Sequence, residues 1–192
     1  MSPRAALWLL LGLPEILQGQ TPSPRPAFTQ MRGFQKDQFQ GEWFVLGLAG
    51  NSYGKEDRAL LRPFTTTIAS DGAGRFQVSS AMKRGRRCDT WSYVMVPAAQ
   101  PGQFSVESQG SPEHREDMRV MDTDYTKFAL MLSLRHTTGN RTVIRISLLG
   151  RNWRLPSTVL DRFGCLALSQ GLSKKDIVFP DMTDWLPHPH GC

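Results

Sequence analysis

The chain has 192 residues, 40% hydrophobic and 9% aromatic, with a formal charge of +6. That length is a prior for one domain, and the apolar content excludes a chain too polar to fold. No apolar run approaches the roughly 20 residues that cross a bilayer, so no membrane span is expected.

In chain order, Met1 to Arg4 carries a positive charge, Ala5 to Leu13 is apolar, and Gly19 offers a small residue for cleavage. This pattern predicts a signal peptide over 1–19, with Gln20 opening a secreted, extracellular chain. Residues 20–33 follow as an extended leader, because Pro22, Pro24 and Pro26 bar a helix and the stretch has no strand partner. From Gly41, short β-rich runs alternate with Gly, Pro, Asp and Asn clusters. They predict strands near 42–50, 60–70, 75–83, 88–97, 102–108, 116–124, 126–135 and 141–150, hence an all-β sandwich or barrel. Asp71 to Gly74 and His136 to Asn140 read as hairpin connections. After Pro156 the period changes: Ser157 is the expected N-cap, Leu160, Phe163, Gly164 and Ala167 share a face, and Gly171 ends the helix. Ile177 to Phe179 supplies a short last strand. Neither repeats nor a second domain appear, so 34–192 is read as one domain.

The basic run Lys83-Arg84-Gly85-Arg86-Arg87 lies between two strands, with no aromatic interleaving and no helix. A solvated hairpin explains it, and nucleic acid is not an expected partner. Three cysteines leave one unpaired in an oxidising compartment. Cys165 falls in the helix and reads as an inert, partly covered thiol. No Ser-His-Asp order, metal-ligand cluster or phosphate loop stands out, and His188 and His190 sit in a tail. The chain is therefore expected to be no enzyme and to hold no metal or cofactor. Asn140-Arg141-Thr142 is a glycosylation acceptor at a hairpin tip.

Three further marks act together: Phe39-Gln40-Gly41-Glu42-Trp43-Phe44, Thr123-Asp124-Tyr125 and Leu148-Leu149-Gly150-Arg151. With them the chain resembles the lipocalins over residues 34–192. The wording of Gly41 to Asn51, Cys88 to Tyr93 and Asp122 to Tyr125 is similar to the epididymal branch of that family. The resemblance implies an eight-stranded antiparallel up-and-down β-barrel, one C-terminal α-helix packed outside and a short final strand. It implies structural roles at the closed end for Gly41, Trp43, Asp124, Tyr125 and Arg151, with the Arg151 cation over the Trp43 ring. It also favours a Cys88–Cys192 disulfide tying the tail to the wall.

Strand alternation decides what lines the hollow. In the last barrel strand one face is Thr142, Ile144, Ile146 and Leu148, and the other is Val143, Arg145, Ser147 and Leu149. Periodicity alone turns the apolar set inward. The family register instead turns Val143, Arg145, Ser147 and Leu149 inward, with Ala129, Met131, Ser133 and Arg135 on the preceding strand. The rest of the implied lining is Val45, Phe64, Thr66, Ile68, Val78, Ser80, Met82, Trp91, Tyr93, Met95, Met118 and Val120. An Arg in an apolar cup needs an anion. Glu116 and Asp122 share the inward parity of their strand and offer an internal one. A ligand carboxylate is the other, gripped by Arg135 and Arg145.

The resemblance thus implies a monomeric carrier of a small lipophilic ligand, retinoid or fatty-acid-like, with all-trans retinoic acid foremost. It leaves any cell-surface receptor unspecified. Two other branches supply rival readings. One isomerises a prostaglandin with a barrel thiol, yet Ala59 to Ser70 contains no cysteine. Prostaglandin-type binding without catalysis would remain. The other captures iron chelates with three cations, of which Arg135 and Arg145 match two and Tyr93 replaces the third.

Overall fold

A computed structural model of the chain describes residues 31, 33–53, 61–84, 87–107, 116–137, 139 and 141–181. The expected signal peptide, most of the expected leader, Asn140 and Cys192 lie outside the described residues. A one-turn helix, α1 (Lys36–Phe39), leads into β1 (Gly41–Gly50), β2 (Phe64–Ser70), β3 (Phe76–Arg84) and β4 (Arg87–Pro97). There follow β5 (Gln103–Glu107), β6 (Glu116–Thr123), β7 (Phe128–Thr137) and β8 (Arg141–Gly150). Each strand pairs antiparallel with the next, and β1 pairs with both β2 and β8, which closes the barrel. Helix α2 (Ser157–Ser169) packs outside, and β9 (Ile177–Val178) adds to β1 at Leu48 and Ala49.

Two apolar clusters explain why β7 reads as a nearly continuous hydrophobic run and why the apolar residues of β8 fall on its outward face. Inside the barrel, Trp43, Phe76, Met95, Phe104, Met131 and Leu149 pack together. Outside it, Leu130, Leu132, Ile146 and Leu148 are covered by Val159, Phe163 and Leu166 of α2. A strand buried on both faces loses the polar alternation that a half-solvated strand keeps.

The closed end is a lock of backbone acceptors around one cation. The Arg151 guanidinium lies 3.6 Å from the Trp43 ring centroid. It donates to the carbonyls of Tyr125, Glu42, Gln38 and Gln40 at 2.7–3.1 Å. Burial lowers its pKa from the ordinary arginine value. Gly41 has φ +98°, and a Cβ there would come 3.0 Å from an Arg151 terminal nitrogen, so two constraints select glycine. Asp124 accepts the amides of Thr126, Lys127 and Phe128, which fixes the β6–β7 turn and holds Tyr125 at φ 64°.

Several local expectations are corrected. Strand β2 starts at Phe64, not near 60, since Pro63 before it has no N–H for a ladder. Ser157 is the first helical residue; Pro156 is the N-cap, without a side-chain cap bond. The buried stripe of α2 is Val159, Phe163, Leu166 and Ala167, and Leu160 is 40% exposed. The one-turn α1 was not expected; it buries Phe39 beneath Trp43, whose Nε1 donates to the Phe39 carbonyl at 2.9 Å. Other strand ends differ by two residues or fewer.

Candidate functional site

Above the aromatic floor the barrel encloses a cavity of about 270 Å³, near the lower end for small-ligand sites. Its wall is mostly apolar: Val45, Leu48, Leu61, Phe64, Ile68, Val78, Met82, Met118, Met131 and Leu149, with Tyr53, Trp91 and Tyr93. Polar groups are few. Ser80 donates to Thr66 at 3.0 Å on the β2–β3 side, while Ser133, Ser147 and Arg145 face in from β7 and β8.

Register follows from the outer cluster. Once Leu132, Ile146 and Leu148 are committed to α2, their neighbours Ser133, Arg145 and Ser147 face the hollow. Arg145 is the one ionised side chain in the described wall, and its Nε is buried with no hydrogen-bond partner. Glu116 is occupied by the Ser133 hydroxyl, which donates to it, and among the described residues it forms no ion pair with Arg145. Tyr93 is pushed up to about 12 by burial first and then by the Glu116 charge, with Arg145 opposing. Its hydroxyl is therefore a neutral donor, 4.0 Å from the Met118 sulfur.

Of the expected ligand residues, Phe64, Met82, Trp91, Tyr93, Met118, Met131, Arg145 and Ser147 line this cavity. Three do not. Met95 is wholly buried in the floor, paired across the sheet with Phe76. Arg135 and Val143 stand opposite each other beyond the Ser133–Arg145 level, toward the rim. Asp122 is also misplaced by simple alternation: a bulge after Val120 pairs it with Leu130 and turns it outward, where it meets Arg162 at 2.9 Å. A second bulge, between Val45 and Gly47, carries Leu48 inward. Leu48, Tyr53 and Leu61 were missed, the first because of that bulge, Tyr53 because it lies beyond β1, and Leu61 because alternation counted back from Phe64 puts it on the outer face. Cys165 lies on α2, exposed and outside the barrel.

The chain matches the model of the lipocalin / cytosolic fatty-acid binding protein family over residues 40–184. It is similar to mouse epididymal-specific lipocalin-12, at 50% identity over the full length of both chains. To the human protein of that name it is 60% identical over 84% of each chain. The solution structure of lipocalin 12 from rat epididymis superposes with a TM-score of 0.80 at 47% identity, over 91% of this chain and all of that one.

Proposed function

The chain belongs to the lipocalin family, whose members bind small lipophilic molecules in the barrel, and from that premise we propose that it carries a lipophilic acid whose carboxylate sits on Arg145. All-trans retinoic acid is the leading candidate. The observation that carries this reading is the buried, unpartnered Nε of Arg145 at one side of an apolar cavity. Arg145 is half-buried and its Nε is cut off from solvent without a partner, a donor that a ligand anion would satisfy. A carboxylate meets it with paired, charge-assisted bonds, and the neutral Tyr93 hydroxyl offers another donor. Met82, Met118, Met131, Phe64 and Trp91 supply adaptable contacts for an elongated chain.

Capture of an iron chelate is disfavoured, because one cavity cation beside a neutral Tyr93 suits a single negative charge. Catalysis on a prostaglandin is disfavoured too, since no cysteine occurs among the described wall residues. In this reading the mature chain starts at Gln20, is secreted as a monomer into the lumen of the male tract, and carries a glycan on Asn140. A Cys88–Cys192 bond fixes the tail.

Titration with all-trans retinoic acid tests the reading, because Trp91 in the wall should be quenched. Retinol should bind more weakly; equal affinity for the two would remove the carboxylate from the recognition.

A further inference from the structure

We propose that the open end of the barrel docks on anionic lipid bilayers through the ribbon formed by β3 and β4. Ligand delivery would then occur with the cavity mouth against the membrane. The pairing of β3 with β4 continues past the cavity wall to Lys83 opposite Cys88 and Arg84 opposite Arg87. From Arg87 to Ser92 consecutive residues of β4 are all exposed, while Ser80 and Met82 on the paired stretch of β3 are buried in the cavity wall, so the ribbon keeps one face on the cavity and turns the other to solvent. Beyond Met82, where the pairing of β3 with β2 ends, the ribbon is two strands wide, and Lys83, Arg84 and Arg87 at its end are exposed.

Its charge and its aromatic residue point to the same partner. Among the described residues of the ribbon's end, Lys83, Arg84 and Arg87 accompany one acid, Asp89, which pairs with Arg84 at 3.3 Å. Two positive charges remain beyond that pair, on a chain whose net charge is +6. Lower on the same ribbon Trp91 is 38% exposed, yet it also lines the cavity and packs 5.1 Å from Phe64. An indole half in water beside lysine and arginine is the composition of a bilayer interface anchor. An acidic protein would meet the same cations, but Trp91 leads into an apolar cavity, and lipid is the phase that exchanges apolar contents. The β7–β8 connection, which carries the Asn140 sequon, is four strands away around the barrel.

The test is cosedimentation of the ligand-free mature chain with vesicles of phosphatidylcholine alone or enriched in phosphatidylserine. Running it without ligand separates it from the carrier reading. Binding should need phosphatidylserine, weaken with salt, and shift tryptophan emission to the blue. Lys83→Glu/Arg87→Glu should weaken it about tenfold or more while leaving affinity for retinoic acid unchanged, which also shows an intact barrel. Lys174→Glu/Lys175→Glu makes the same change in net charge away from the ribbon and should retain most of the binding. Three results would each overturn the proposal: no binding to phosphatidylserine vesicles at low salt, equal loss in both double variants, or binding to soluble polyglutamate as tight as to vesicles.

Discussion

The guanidinium of Arg151 lies over the indole of Trp43, 3.6 Å from its centroid, although the two are far apart in sequence. The contact joins the start of β1 to the segment after β8, and four backbone carbonyls complete the coordination of the cation. One side chain thus closes the barrel at the point where its first and last strands meet.

Replacing Arg151 by Met should cost about 3 kcal/mol, from the lost ring contact and the carbonyls left without a donor. Urea unfolding measures this directly. Gly41→Ala should cost about 1–3 kcal/mol through its positive φ and its approach to the same guanidinium. A loss below 0.5 kcal/mol in both would mean that the base is held elsewhere.

Arg145→Leu should separate function from stability. Affinity for retinoic acid should fall about tenfold or more, while retinol binding stays near its original level. The ligand-free variant should be no less stable, because a half-buried side chain with an unpartnered Nε has been removed. Loss of both ligands would instead indicate a collapsed cavity.

Tyr93 should ionise late. Its folded pKa is raised to about 12 from an ordinary value of 10.0. Below pH 10 both folded and unfolded chains keep the proton, and the stabilisation is fully present. Between pH 10 and 12 only the unfolded chain releases it, so stability falls by about 2 kcal/mol as pH rises through that window. Tyrosinate absorbance should show a late step that Tyr93→Phe removes, together with its share of the alkaline destabilisation.

The cysteines give a covalent check. Without reduction, alkylation should label Cys165 alone, and peptide mapping should recover Cys88 joined to Cys192. Reducing that bond should cost about 4–5 kcal/mol at most in the chain-entropy picture. Labelling of all three thiols in the native chain would remove the pairing.

Much of the barrel was legible because strand signals are local. Turn residues such as Asp124 and Gly72 punctuate the chain, and the run from Gly41 to Arg151 gave eight strands with ends near those observed. The cavity was less so. On β8 the apolar residues are the outward ones, since α2 competes with the interior for Ile146 and Leu148, and alternation by itself would have turned Arg145 to solvent. Resemblance supplied the right parity there. Alternation also failed for Asp122, where a single extra residue after Val120 turns the carboxylate to the opposite face.

By itself the sequence determined the all-β character of this protein, the marks of its closed end and the change to helix after Pro156, all of which are encoded within a few residues. The tertiary structure decided which faces look inward, where the two bulges fall and that Arg145 stands in an apolar wall with no ion pair among the described residues. Those depend on pairing across distant strands and on the helix that covers them, and a one-residue shift in register exchanges inside for outside.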